Sequence, residues 1–177
     1  MESKLRLDNK LNGDWIFLYE DESESLFDEF EDASVSWERG DLALAIKLTK
    51  QILRKHPDYM DAHNLHGVLF EALGDNRQAI DAWKRAVRIG LGCFTEEFQW
   101  GKDSLSWNYK ENRGFLRAYF NLSNIYFRLE DYQAALKCLQ NIRLLHSDYA
   151  SPRFLLTKCQ SRIRLQKKKL STINQTP

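Results

Sequence analysis

The sequence predicts an all-α fold, a right-handed solenoid of helical hairpins, on three observations. The first is a phrase written three times: "ERGDLALAIKLT" at Glu38–Thr49, "ALGDNRQAIDAW" at Ala72–Trp83 and "RLEDYQAALKCL" at Arg128–Leu139. The second is its spacing. The first two copies lie 34 residues apart and the last two 56, which is one period plus an interruption of 22. A fixed period of that length marks a repeat architecture, in which each unit buries its apolar face only against its neighbours. The third is the apolar pattern through each phrase, at i, i+1, i+4, i+7 and i+8, which is helical and not strand spacing.

Taken in chain order, residues 1–25 read as an acidic N-terminal arm. The stretch "YEDESESLFDEFEDA" at 19–33 is densely acidic, yet Leu26, Phe30, Ala33 and Trp37 recur at helical spacing. Two readings follow. The acidic residues cap an ordinary amphipathic first helix, since negative charge is favoured at a helix N-terminus. Or the arm folds back on a basic surface, in this chain or in a neighbour's, which would make a homo-oligomer. Residues 26–167 form the repeat domain, with units at 26–59, 60–93 and 116–149, an insertion at 91–114 and a capping helix at 150–167. Residues 168–177 are a C-terminal tail.

Each unit reads helix, turn, helix. The upstream helices are "SLFDEFEDASVSWE", "DAHNLHGVLFEAL" and "FLRAYFNLSNIYFRL". The turn pairs Gly40-Asp41, Gly74-Asp75 and Glu130-Asp131 supply a helix stop and the next N-cap. Ala45, Ala79 and Ala135 follow four residues on, and Ala33, Gly67 and Ser123 face them, so the paired helices can approach closely. In the insertion, Gly90 and Gly92 read as the stop of one helix, and the next starts near Phe115. Between them stand Phe94, Phe98, Trp100, Trp107 and Tyr109, too many aromatics for a solvated loop. The segment is either a lid packed on the body or a partner-contact loop. The last helix, from Pro152, carries Leu156, Cys159 and Ile163 as its apolar stripe. Lys167–Lys169 reads as a solvated cap or as a weak anion-binding patch.

This grammar resembles the tetratricopeptide repeat, a 34-residue helical hairpin with small residues at the crossing, a Gly-Asp-like turn and a proline near its end, here Pro57. The stretch from "ENRGFLRAYFNL" to "SDYASPRFLL" is also similar to a set of small bacterial proteins of this repeat type, whose pattern has proline where this chain has Gly114. That departure implies a looser helix start. The resemblance implies that the first helix of each unit lines a concave wall and that its second, fifth, ninth, twelfth and thirteenth positions contact ligand. Carried over by register, these are Asp61, Asn64, Val68, Glu71 and Ala72; then Arg117, Phe120, Asn124, Phe127 and Arg128; then Phe154, Lys158 and Arg162. The implied partner is a protein or peptide with acidic and apolar residues, because arginine grips carboxylates and phenylalanine anchors apolar side chains. Asn124 matches the carboxylate clamp of chaperone adaptors, but the clamp's lysine is Phe120 here. Phe120 and Phe127 equally suit packing against a neighbouring helix.

Composition narrows the function. With 177 residues, 43% apolar and 29% charged, the chain is one ordinary globular domain. Its net charge of +1 speaks against nucleic acid as the partner. Cys93, Cys138 and Cys159 form no CxxC pair, which suits a reducing compartment. The apolar runs, such as "WIFLY" at Trp15–Tyr19, are far too short to span a membrane. The N-terminus lacks signal-peptide order, so the expected setting is the cytoplasm. No phosphate-binding glycine loop or nucleophile elbow is present, and no cofactor is expected. His63 and His66, three apart on one helix and near Asp61 and Glu71, can share a face, but a metal site needs a third and fourth ligand and their repeat positions face the partner helix. The expectation is therefore a non-enzymatic adaptor or scaffold binding a partner segment in the groove at Asn64, Glu71, Arg117, Phe120, Asn124, Phe127, Arg128, Lys158 and Arg162. The alternatives are a secretion-type chaperone holding an unfolded client, and a metal or enzyme site on His63 and His66.

Overall fold

The computed structural model describes residues 5–11, 13–19, 24–145 and 153–173. The acidic stretch 20–23, His146 and Pro152 lie outside them, as does the side chain of Lys169. The described residues form a hairpin of β1 (Leu5–Leu11) and β2 (Asp14–Tyr19), then α1 (Glu24–Glu38), α2 (Leu42–Lys55), α3 (Met60–Ala72), α4 (Asn76–Leu91), α5 (Lys110–Arg128), α6 (Tyr132–Leu144) and α7 (Arg153–Ile173). The helices pair as α1·α2, α3·α4 and α5·α6, with each pair stacked on the next and α7 on α6. This is the helical-hairpin solenoid that the period predicts.

The three turns are built alike. Asp41, Asp75 and Asp131 accept hydrogen bonds from the amides of Leu44, Gln78 and Ala134, each at 3.0 Å, satisfying one orphan donor of the second helix. The aspartate amide in turn donates to the carbonyl five residues back, of Ser36, Phe70 or Tyr126, each at 2.9 Å. That closure needs a left-handed residue before the aspartate. Gly40 (φ 82°) and Gly74 (φ 76°) adopt it freely, whereas Glu130 (φ 62°) does so against the steric preference of an L side chain.

The crossings also follow the pattern. Ala33, Ala45, Ala79, Ser123 and Ala135 are fully buried. Gly67 sits so close to Trp83 that an added Cβ would lie 2.4 Å from its Nε1. The Trp83 indole is itself enclosed, and its N–H donates to the Asn64 carbonyl at 3.1 Å. The core divides into a first-repeat cluster around Ala45, Ile52 and Leu69, a central cluster around Trp83, Phe115 and Ile125, and a last one joining Leu139 to Leu156 and Cys159.

Four features depart from the sequence reading. The N-terminal arm is not only acidic lead-in: β1 pairs antiparallel with β2, Leu7 opposite Phe17, and Leu5, Leu7, Trp15 and Phe17 enter the central cluster. The fold is thus all-α apart from this hairpin, in which Leu5 and Leu7 of β1 alternate at period two while Trp15, Ile16 and Phe17 of β2 are all buried. Second, Gly90 does not stop its helix. It lies within α4, and a Cβ there would meet Phe115 Cδ2 at 2.3 Å, so the glycine is a seat for that ring. Third, α5 begins at Lys110 and leaves 92–109 as the insertion. Gly114 does not loosen its start; a Cβ would lie 2.8 Å from the Asp61 amide nitrogen, so glycine lets the added helical turn press on α3. Fourth, α7 runs on through the residues read as tail, to Ile173.

Hairpin and insertion pack as one unit. Ser104 N donates to Gly13 O at 2.7 Å, Trp15 N to Ser104 O at 2.9 Å, and Trp15 Nε1 to Asp103 Oδ2 at 2.9 Å. Buried Asn112 ties both to α5. Its Oδ1 accepts from Phe17 N at 3.2 Å, and its Nδ2 donates to the carbonyls of Trp15 and Ser106, each at 3.0 Å. Phe94 meets Phe17 and Phe98 edge-on, with centroids 6.2 and 4.6 Å apart. Gly101 N and Leu105 N donate to Leu144 O and Leu145 O, closing the insertion onto the end of α6. The insertion is therefore a packed lid over most of its length, with Trp100 44% exposed.

Candidate functional site

The 34-residue period sets the first helices of the repeats side by side, so α1, α3 and α5 share one wall. Between them lies a pocket of about 340 Å³, lined by Phe30, Ser34, Trp37 and Glu38 of α1, by Asn64, Leu65 and Val68 of α3, and by Arg117 and Asn121 of α5. A second pocket, of about 160 Å³, adjoins it and shares Phe30 and Arg117. There Tyr19, Phe27 and Tyr59 face Lys110, Arg113 and Asp61. The first turn and a half of α5 builds this end, which is why its early start matters for the site.

The cations of α5 are held by aromatic faces. Lys110 Nζ lies 4.0 Å from the centroid of Phe27. The Arg113 and Arg117 guanidinium carbons lie 5.2 and 5.0 Å from Trp107, and Arg113 Nε also donates to the Trp107 carbonyl at 3.1 Å. Arg117 Nη1 stands 3.7 Å from Asp61 Oδ1. Cation–π contacts orient these groups without neutralising them, whereas Asp61 and the Trp107 carbonyl each engage one of their donors. Asn64 is buried, and its Oδ1 accepts from Asn121 Nδ2 at 3.0 Å, which fixes both amides across the groove floor. Burial, with Asp61 nearby, pushes the Tyr19 hydroxyl well above its ordinary value; that oxygen accepts from Met60 N at 3.2 Å.

The residues expected to touch ligand do not all share this surface. Asn64 and Arg117 line the pockets. Glu71 and Arg128 pair with each other between the ends of α3 and α5, the arginine side chain 57% exposed. Phe120 and Asn124 are half-buried and line neither pocket. Phe127 packs edge-on against Tyr132, centroids 5.2 Å apart, in the cluster that joins α6 to α7. Lys158 lies over Phe154 at 4.2 Å, and Arg162 is exposed further along α7. Sequence reasoning missed Lys110, Arg113, Trp107 and Asn121. The signal for the cations was present: Lys110, Arg113 and Arg117 recur at i, i+3 and i+7, extending the helix before its repeat boundary.

His63 and His66 are arranged as structural residues. His63 Nε2 donates to the Pro57 carbonyl at 2.8 Å. The His66 ring meets Phe70 edge-on at 4.7 Å, and its Nδ1 is buried without a partner. Burial, aided by Lys50 and His63, lowers His66 to about 4, so the ring is neutral at pH 7. Among the described residues no three His, Cys, Asp or Glu side chains cluster in a metal-binding arrangement. Burial pushes the Cys93 and Cys138 thiols up to about 11, which keeps them protonated and poorly nucleophilic.

Family models for the tetratricopeptide repeat match residues 31–90 and 116–141. The chain carries tetratricopeptide repeats. Its solenoid is similar to the first TPR of Spaghetti (RPAP3) bound to the HSP90 peptide SRMEEVD, with a TM-score of 0.61 at 15% identity over 80% of this chain and 98% of that one. It is similar also to the TPR2B domain of yeast Sti1 in complex with pHsp70, with a TM-score of 0.58 at 14% identity over 81% of this chain and 99% of the domain. A third likeness is to the Yersinia enterocolitica type III secretion chaperone SycD in complex with a peptide of the translocator YopD, with a TM-score of 0.56 at 16% identity over 83% of this chain and 95% of that one. At these identities the likeness is one of fold. No curated protein matches the sequence. Among the described residues no helix of the tetratricopeptide-repeat chain is long and apolar enough to cross a membrane.

Proposed function

We propose that this protein is a non-enzymatic interaction module that binds an extended segment of a partner protein along α1, α3 and α5. The observation that carries the reading is the pair of adjoining pockets, in which donors from Lys110, Arg113, Arg117 and Asn121 stand beside Phe27, Phe30, Tyr59 and Trp37. Oriented guanidinium groups next to aromatic surface suit a segment that alternates carboxylates with apolar side chains. The named structural neighbours hold peptides or partner proteins, which supports the same reading. The setting this implies is the cytoplasm, with no cofactor. A secretion-type chaperone holding a client segment is the second reading, and the fold likeness to SycD favours it. The test is a panel of short acidic-apolar peptides titrated into the labelled protein and followed by amide chemical shifts. Shifts confined to α1, α3 and the first half of α5, lost in Arg117→Glu, are expected. Shifts on the outer helices α2 and α4 instead would refute the site.

A further inference from the structure

We propose that copies of this chain associate end to end, the basic, phenylalanine-bearing face of α7 on one copy seated against the acidic face of α1 on the next. The proposal concerns a surface that shares only Glu38 with the lining of the groove and does not rest on that groove. In α7 the buried stripe is Leu156, Cys159 and Ile163, which packs on α6. On the opposite side Phe154, Lys158, Arg162 and Leu165 form a second stripe, at i, i+4, i+8 and i+11. Phe154 is 71% exposed and Leu165 54%. The main contact of α7 among the described elements is with α6. Stacked repeats bury such stripes against the next unit, so here the surface that one repeat offers another is left uncovered.

Charge complementarity identifies what covers it. At the other end of the stack, Asp28, Glu31, Asp32 and Glu38 are exposed on α1 around half-buried Val35. Among the described residues this helix forms an ion pair through Glu29 with Lys55, at 2.7 Å, and those four carboxylates are unmatched. On α7 the Lys158 ammonium lies over the face of Phe154. The two stripes are each about ten residues, about 15 Å, long. They lie at opposite ends of one solenoid and so can meet only between copies. Lys47 and Arg54, exposed on α2, would repel α7, which confines the contact to the α1 side. Two different surfaces meet, so the contact is heterologous and builds open series rather than closed dimers. Because the charges are exposed, salt weakens it.

The experiment is sedimentation velocity on the full chain from low micromolar to millimolar concentration. Mass that grows with concentration and falls at high salt is expected, and Phe154→Ser should reduce it at least several-fold. Lys158→Glu with Arg162→Glu should abolish self-association, as should Asp28→Lys with Glu31→Lys. An equimolar mixture of these two doubly reversed proteins should restore it, because the acidic tail of one then meets the basic head of the other. A monomer at every concentration overturns the proposal. So does association that survives the reversals, or that the mixture fails to restore. Circular dichroism checks the fold of each variant, and the substituted side chains are all exposed. Arg117→Glu should leave the association unchanged while removing peptide binding, so the two readings fail separately.

Discussion

Replacing Gly67 by alanine sets two effects of opposite sign against each other. In an open helical position the change would stabilise by about 1 kcal/mol, since glycine is the poorer helix former. Here the new Cβ would stand 2.4 Å from Trp83 Nε1 and 2.6 Å from Cε2. The indole has no room to swing aside, being fully buried, and moving it would break its bond to the Asn64 carbonyl. Overpacking costs about 1–3 kcal/mol. A buried donor left unpaired costs about 1–3 kcal/mol more. The net expectation is a loss of about 1–5 kcal/mol, which for a chain of this size lowers the melting midpoint by about 2–20 °C. Thermal melts followed by far-UV circular dichroism measure it. Trp83→Leu supplies the control: in that background the alanine should cost far less, because the clashing ring is gone. A single Gly67→Ala protein that melts at or above the wild-type midpoint would refute the close crossing, and with it the register of the repeats.

Three further outcomes are expected. Glu130→Gly should stabilise by about 0.5–1 kcal/mol in urea titrations, since Glu130 holds a left-handed conformation that glycine adopts without a clash; a midpoint that drops would contradict the turn geometry. Asn112→Ala leaves Phe17 N–H and two carbonyls without their partner, so hydrogen exchange should show β2 losing protection before α3 or α4, with a cost of about 1–3 kcal/mol. His66, lowered to about 4 by burial, gains protons on unfolding between its folded value and the ordinary 6.5. The unfolded state then binds more protons in that window, so stability is full above about pH 6.5 and falls as the pH drops toward 4. His66→Leu should flatten that part of the stability curve, and an unchanged slope would remove His66 as its source.

The solenoid was legible because its signals are local and repeated. The pairs Gly40-Asp41 and Gly74-Asp75, and Asp131 in the third copy, encode helix stop and N-cap within a few residues of chain, where backbone sterics and one hydrogen bond decide the outcome. The 34-residue interval then sets which helices become neighbours, and the residues carried over by register put Asn64 and Arg117 in the groove. The same reasoning stopped short at Phe127 and Lys158, because register says which side of a helix a residue occupies but not which neighbour is there to cover it.

By itself the sequence determined the units: their helices, their turns, the small residues at each crossing and the acidic and basic ends of the chain. The tertiary structure alone decided what lies between distant segments. "WIFLY" carries no unique strand signal, and it becomes an ordered strand because Asn112 and Ser104, about ninety residues on, take up its backbone groups while Phe94 and Phe115 enclose Phe17. Gly90 and Gly114 look like helix breakers in the chain and are close-approach points in the fold, because only the partner surface, Phe115 in one case and the Asp61 backbone in the other, gives a missing Cβ its meaning. The cations of the groove acquire their orientation in the same way, from Trp107 in the lid and Phe27 in the first helix. Helix propensity and capping act over a few bonds, whereas burial and cation–π contact depend on which surfaces the fold brings within a few ångströms.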